Sequence, residues 1–553
     1  MTTATIPSVA VIGLGAFGLV TVKNLLEEGF DVTGFDRNSS VGGLWSLSPE
    51  ATVSALSSTS VNVSRERGCF TDFPFPDETG SYPTAGEVKK YLNDYCSHFN
   101  LWPNLHLQTS IAGIQRDEEA RKWRLNVVRK GGIIEKLSFD KLVIATGPQN
   151  VPVIPDIPNA NVFKGTITHS ATFKDPTKFA GKNVVVLGIG NSAVDTSTSL
   201  IGHANKIYLA HRSGCLLLPR ILNDGTSLDH AATYRTFAIR DFLETFVPQL
   251  AARFIDNMVA TIQKTHYDFD PQWRIDTPTP SLTKRNPTVS YFIYDALREE
   301  KVISTHGIKR YAGPRSLEMD DGTVLEDVDA VVYCTGYQLE LSWLGKYDPT
   351  VINPDTADEK QHDYAAPRLY QNIISHDQPD SLAFIGLALT IFPAFVIADL
   401  SAMALAQMWS KPELLPSDHE MQDRLAKHKA WRARVNVMAN PAGKGPPPLQ
   451  VETGHFLAWV QDVAGTWVNE HLSYNSLAAW ILWWQDRELS KVLMDGVNSP
   501  HSYRLFDSHG RRKAWGGARD AVFHVNEEVK RRVEARKADG KVKIISGGVI
   551  AHS

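Results

Sequence analysis

Cysteine is scarce in this sequence. Four residues, Cys69, Cys96, Cys215 and Cys334, are scattered through 553 positions, and no pair stands at the CxxC spacing of a redox dithiol or a zinc site. This excludes dithiol exchange and thiolate metal chemistry and fits a reducing compartment. Charge of one sign is equally lacking: 57 Lys and Arg against 61 Asp and Glu leave a formal net charge of -4, so no global field draws the chain to nucleic acid or an anionic membrane. Long hydrophobic runs are missing as well. The longest, LAFIGLALTIFPAFVIA between Ser381 and Asp399, is broken by Gly386, Thr390 and Pro393 and falls short of the ~20 residues of a membrane span. It reads as strand, turn and helix. The first residues, MTTATIPSVAVIGLG, carry no basic region or small-residue cleavage site, and the last, VKIISGGVIAHS, match no anchor or address signal. A cytoplasmic protein is the expectation.

What is present is a globular balance, 43% hydrophobic and 21% charged, in a chain too long for a single core. β-Branched runs at SVAVIG, DVTGFD, KLVIATG, NVVVLG, KIYLAH, DAVVYCTG and LAFIG alternate with helix-length amphipathic segments, which predicts an α/β fold with parallel sheets. Proline and glycine cluster at 148–158 and again at 440–448, marking crossings between lobes. The tail from Val451 is rich in tryptophan (Trp459, Trp467, Trp480, Trp483, Trp484) and then in charge. It predicts helices packed on the main body, the last one solvated, with exposed tryptophans as candidates for burial in a homodimer contact.

The stretch VAVIGLGAFGLVTVKNLLEEGFDVTGFDR places Gly13, Gly15 and Gly18 at a strand-to-helix turn, with Ala16 and Phe17 between them and Asp36, followed by Arg37, at the end of a second strand. The first glycine makes the tight turn, the second lets backbone approach a pyrophosphate at the helix N-terminus, and the third lets helix and strand pack closely. Asp36 is the expected acceptor for a ribose diol. Gly42, Gly43, Leu44 and Trp45 follow. Two small-residue turns come after apolar strands, Ala145-Thr146-Gly147 and Cys334-Thr335-Gly336-Tyr337, where chain passes close to a nucleotide or crosses between lobes.

A second unit, NVVVLGIGNSAVDTSTSLIGHANKIYLAHRSG, repeats the pattern with Gly188, Gly190, Asn191, Ser192, Ala193 and Asp195. Its second strand ends in His211, Arg212 and Ser213 where an acid would otherwise stand. An aspartate there repels a 2′-phosphate; Arg212 can bind one through a charge-assisted contact. The pair of sites therefore implies FAD held stably at the first and NADPH delivering hydride at the second. Two Rossmann-like domains follow from this: residues 1–158 and 331–450 form an FAD-binding domain in two parts, 159–330 an NADPH-binding domain with a helical insert at about 216–280, and 451–553 a helical C-terminal extension. The insert's aromatics, Tyr234, Phe237, Phe242, Phe246, Phe254 and Tyr267, belong either to plain helix packing or to an access channel over the active site.

Between the two units, FKGTITHSATF sets Phe163, Gly165, His169 and Phe173 in the pattern FxGxxxHxxxF, which resembles the identifying motif of flavin-containing monooxygenases. GGLW at 42–45, VNVSRERGCFTDFPFP from Val61, GNSAVD at 190–195, CTGY at 334–337, FIGL at 384–387 with Gly386, and SPHSYRL and WGGARDA in the tail resemble the same family. The resemblance implies that reduced FAD and O2 form a C4a-hydroperoxyflavin, shielded by NADP+, which gives one oxygen atom to nitrogen or sulfur of a small molecule, as in N,N-dimethylaniline monooxygenase activity. Asn62 matches the family's asparagine beside the flavin. His169 supports the linker through a hydrogen bond and is no general base, and Ser170 is placed to reach the NADP phosphates.

Three departures shape the expectation. Phe173 stands where Baeyer-Villiger relatives carry tryptophan, and GGLW runs into SLSPEATVSALSS rather than an aromatic-Pro-Gly-Asp sequence, which disfavours ketone oxygenation. The membrane helix of vertebrate members is missing, which favours a soluble microbial form. IADLSAMALAQ replaces the family's AELQ-like helix and leaves the contacts of Asp399 open. Ketone oxygenation and an uncoupled NADPH oxidase stay as alternatives; a disulfide reductase is excluded by the missing cysteine pair.

Overall fold

Strand β1 (Ser8–Ile12) is apolar without alternation, the pattern of a strand covered on both faces, and Val9, Ala10 and Val11 are fully buried. In the computed structural model, which describes residues 6–47, 53–276, 281–282, 286–290, 292–351, 367–438, 449–507 and 511–539, β1 lies inside a seven-stranded sheet. Helix α1 (Ala16–Glu28) leads into β2 (Asp31–Phe35), which returns parallel to β1 with Ser8 opposite Asp31 and Ile12 opposite Phe35. On the other flank β1 pairs in parallel with β3 (Lys141–Ile144), and β3 with strand Leu382–Phe384. The sheet is thus assembled from chain segments more than 200 residues apart.

The intervening chain forms a second sheet of five parallel strands. β4 (Thr166–His169), β5 (Asn183–Leu187), β6 (Lys206–His211), β7 (Ile303–His306) and β8 (Ala330–Tyr333) lie in the order β7-β6-β5-β8-β4. β5 is followed by helix α2 (Asn191–Ser199), the same unit as β1 and α1. The two chain crossings between the sheets pair with each other: Val151–Pro152 and Tyr337–Gln338 form a short antiparallel ribbon. The Pro/Gly cluster at 148–158 therefore does sit at a crossing. The second cluster at 440–448, residues 48–52 of the stretch after GGLW and the end of the chain from 540 lie outside the described residues.

The insert contains helices α3 (Tyr234–Phe246) and α4 (Pro248–His266). Its aromatics divide differently from an access channel. Phe237 stacks near Phe392 and Tyr267 near Tyr294, while Phe242, Phe246 and Phe254 face solvent at 61–68% exposure. The expected packing of the tail on the main body holds for Trp459, which meets Tyr370; the tryptophan helix Leu477–Gln485 reaches the core through half-buried Leu482 but fully buries none of its residues, with Trp484 75% exposed. No described helix is long and apolar enough to cross a membrane.

Three other parts of the chain are clasped tightly. Helix α5 (Ala394–Ser410), buried along almost its whole length, packs on α1, and Asp399 within it accepts from Thr71 N and Oγ1 at 2.9 and 2.8 Å and from Asn24 Nδ2 at 2.9 Å. Beside it a buried ion network joins α1 to the SPHSYRL segment: Lys23 Nζ lies 2.5 Å from Asp72 Oδ2, Arg504 binds the same carboxylate, and Arg504 Nε reaches Asp507 Oδ2 at 2.9 Å. Helix α6 (Ala518–Ala538) sends Arg532 to Asp77 O, Thr79 O and Ser81 Oγ, and Arg536 to Gly225 O and Ser81 Oγ. Removing one member of a buried ion cluster strands the others. Arg504→Met should therefore destabilise the fold by about 3–5 kcal/mol, read as a lowered urea midpoint; an unchanged midpoint would show that the network contributes nothing net.

Candidate functional site

The turn after β1 is built by backbone proximity. Gly13 sits at φ +96°, and a Cβ on it would stand 2.6 Å from Ala145 O; a Cβ on Gly18 would stand 1.7 Å from Gly13 O. Only side-chain-free residues let β1, α1 and the Ala145-Thr146-Gly147 turn meet this closely. Gly15 caps α1 without a side-chain hydrogen bond, leaving first-turn N–H groups for a ligand. Gly43 lies directly across, its would-be Cβ 3.0 Å from Gly15 Cα. Asp36 accepts from Leu14 N and Asn38 N, each at 2.8 Å and each on a different oxygen. Burial pushes its carboxyl up from the ordinary value while these donors oppose the shift, and each oxygen keeps a lone pair for a diol. Arg37 is exposed beside it, and Ala16 is buried in the first turn of α1. Phe17 lies over Gly386, whose Cβ position would be 2.2 Å from the ring.

The second turn repeats this construction. A Cβ on Gly188, at φ +133°, would stand 2.5 Å from Cys334 O; Ala193 is fully buried at the third position, and Gly190 has open space where a Cβ would point. Gly147, at φ +80°, also faces open space. Both turns thus offer bare backbone to a cofactor. At the strand end His211 bonds to Ser304 Oγ and Ser213 O at 2.9 and 3.1 Å, and burial holds its pKa at about 4. The imidazole is neutral near pH 7, and Arg212 supplies the cationic charge of that His-Arg-Ser end. Its side chain is 71% exposed, with Nε 3.7 Å from Asp320 Oδ2.

Leu44, Trp45, Asn62, Ser170, Asn191, Ser192 and Asp195 converge on one cavity of about 480 Å³ between the two units. None of the six insert aromatics lines it. Thr335 and Gly336 are placed otherwise: Thr335 Oγ1 donates to Val153 O and Gly336 O accepts from Val153 N, so both fasten the crossing ribbon. Asn191 turns its carboxamide oxygen to Val289 N at 3.0 Å. His169 is buried at the end of β4, its Nδ1 accepting from Ala171 N at 3.1 Å and its ring edge-on to Tyr337; burial lowers its pKa. Phe173 is buried against Phe179 and lies outside the cavity lining. Among the described residues no group of side chains could hold a metal ion.

A polar seam closes the cavity, and most of it escaped sequence reasoning. Thr59 Oγ1 donates to Asp195 Oδ2 at 2.9 Å, Arg220 Nη2 donates to Ser60 O and Asn62 Oδ1 at 3.0 and 3.1 Å, and Ser64 N donates to Asp229 Oδ2 at 2.8 Å. His230 Nε2 lies 2.9 Å from Ser64 Oγ and 3.4 Å from Glu66 Oε2. A signal for Arg220 did exist: a lone cation inside the apolar run LLLPRIL must be paired if buried.

The comparisons with known proteins follow this geometry. A family model described as flavin-binding monooxygenase-like matches residues 7–550. Monooxygenase aurF of Gibberella zeae is 40% identical over 94% of this chain and 98% of its own. Among solved structures, the S-allyl-L-cysteine S-oxygenase of Allium sativum is 20% identical with a TM-score of 0.60, covering 95% of this chain and 99% of its own. A cyclohexanone monooxygenase from Rhodococcus sp. Phi1 bound to NADP+ is 17% identical with a TM-score of 0.58, covering 83% and 98%.

Two outcomes test the site. Arg212→Ala should raise the KM for NADPH about tenfold, the worth of one charge-assisted hydrogen bond, while the KM for NADH stays put; equal changes for both cofactors would remove the 2′-phosphate role. Burial alone would raise Glu66, but the hydrogen bond and charge of His230 hold it at about 2 against an ordinary 4.5. A depressed carboxylate stabilises the fold above its unfolded pKa and loses that stabilisation as the folded pKa is approached. The melting-temperature gap between wild type and Glu66→Gln, wide at pH 7, should therefore narrow as pH falls from 4.5 towards 2; a gap independent of pH would refute the pairing.

Proposed function

This chain belongs to the flavin-binding monooxygenase-like family and is a flavin-dependent monooxygenase that uses FAD and NADPH; within that activity we propose that it transfers one oxygen atom to a soft nucleophile, nitrogen or sulfur in a small molecule. FAD, once bound and reduced by NADPH, supplies the activation of dioxygen. The chain's own residues do the rest. Gly13, Gly15, Gly18 and Gly43 admit the FAD pyrophosphate to the N-terminus of α1, and Asp36 accepts from its ribose. Gly188 and Gly190 repeat this for NADPH at α2, with Arg212 on the 2′-phosphate and Ser170 within the same cavity.

The observation that carries the reading is the cavity itself, where Trp45 and Asn62 of the first unit meet Ser192 and Asp195 of the second. Trp45 and Asn62 would border the flavin there and Ser192 and Asp195 the nicotinamide nucleotide, which would supply the hydride. Leu44, Val53, Phe75 and Phe395 give it apolar walls, which exclude water and favour a neutral substrate over an ion. Asn62 is the candidate catalytic residue. Phe173, buried on Phe179 where Baeyer-Villiger relatives carry tryptophan, supports nitrogen or sulfur over ketone oxygenation.

The test is NADPH consumption with coupled product formation. Methyl p-tolyl sulfide or N,N-dimethylaniline should yield sulfoxide or N-oxide, and cyclohexanone should yield no lactone. Lactone without sulfoxide or N-oxide would replace this reading by ketone oxygenation. Hydrogen peroxide equal to the NADPH consumed with every probe would replace it by an NADPH oxidase.

A further inference from the structure

A carboxamide offers oxygen on one side and N–H on the other, and its two orientations are close to isosteric. Which face Asn62 shows to the cavity is therefore a chemical question that shape does not settle. Its neighbour settles it. Arg220 is 7% exposed and follows strand Leu217–Leu218 in the second unit. Its Nη2 donates at once to Ser60 O at 3.0 Å and to Asn62 Oδ1 at 3.1 Å. The Arg220 carbonyl is in turn held by Tyr82 Oη and Leu228 N, and its guanidinium lies over the Tyr82 ring, 5.6 Å from the centroid.

A guanidinium has donors and no acceptor, and it does not deprotonate. With Asn62 reversed, Nδ2–H would point at the N–H of buried Arg220, two donors face to face in a half-buried contact, which costs more than the hydrogen bond gained. We propose that Arg220 is a positioning residue that fixes the carboxamide of Asn62, so that this side chain presents N–H donors and no acceptor to the cavity. The atom Asn62 serves is then an acceptor: a flavin carbonyl or ring nitrogen, an oxygen atom derived from dioxygen, or the nicotinamide carbonyl. This rests on the reading of Asn62 given under the proposed function. It also makes the second unit responsible for the chemistry of a residue in the first, because Arg220 lies at the start of the insert that follows β6 while Asn62 belongs to the loop after GGLW.

The experiment uses full-length, FAD-loaded protein and needs no identified substrate. The readouts are hydrogen peroxide released per FAD in air with NADPH alone, and the rate of flavin bleaching by NADPH without oxygen. Asn62→Ala and Arg220→Met should each raise peroxide release about tenfold, the scale of one misplaced polar contact at a reacting centre, with bleaching within twofold of wild type. Arg220→Lys, which keeps a donor and no acceptor, should restore wild-type release, and Asn62→Ala/Arg220→Met should be no worse than Asn62→Ala alone.

If Arg220→Met does not load FAD, Asn62→Asp decides. The carboxylate keeps its bond to Arg220 but shows an acceptor to the cavity, so release should rise as in Asn62→Ala. Wild-type release from Asn62→Asp or from Arg220→Met beside an altered Asn62→Ala, additive losses in the double variant, or an Arg220→Lys as leaky as Arg220→Met would each overturn the proposal while leaving Asn62 in place. A silent Asn62→Ala would overturn both readings.

Discussion

The seam between residues 59–67 of the first unit and residues 195–230 of the second is the constraint on which the rest depends. Two sheets, one mixed and one parallel, each carry a nucleotide-binding unit, and the crossings between them pair through the short ribbon of Val151–Pro152 and Tyr337–Gln338 with a few flanking bonds, so the seam supplies much of what holds the units in place. Thr59 with Asp195, Arg220 with Ser60 and Asn62, and Ser64 with Asp229 and His230 close the gap by polar contacts. Apolar packing would join the lobes as firmly but would leave the cavity indifferent to polarity. A seam of directional bonds fixes both the distance between the cofactor sites and the chemical face that each seam residue shows the cavity.

The C-terminal extension reinforces that closure from outside. Arg532 and Arg536 of α6 grip the 77–81 loop, and Arg536 also holds the Gly225 turn of the second unit. Arg504 and Lys23 share Asp72 beneath α1. Buried charges of this kind add little net stability over apolar side chains of equal volume, yet losing one partner is expensive. They make the fold intolerant of partial assembly, which suits a site completed only when three separate parts of the chain have docked.

Much of the nucleotide chemistry was legible because it is local. Gly13, Gly15, Gly18 and Asp36, and Gly188, Gly190, Ala193 and Arg212, lie within one strand-helix-strand stretch each, and the roles proposed for these residues rest on backbone sterics and charge that operate over a few residues. The resemblance carried by FxGxxxHxxxF added the oxygen chemistry. The insert was less legible. Its aromatic spacing suits helix packing and channel lining alike, and only the surroundings of Phe242, Phe246 and Phe254 place them in solvent. Thr335 and Gly336 form a small-residue turn whose neighbour proved to be the Val153 backbone.

The sequence by itself determined the class of fold and the two cofactors, and it marked the residues proposed to hold them, because glycine, aspartate and arginine at those spacings have few other physical uses. It also marked Asn62. Tertiary structure decided what Asn62 does, for its orientation is set by Arg220, 158 residues away in sequence. A carboxamide has no polarity of its own until a neighbour without acceptors assigns one, and no local pattern reports a neighbour that arrives from another sheet.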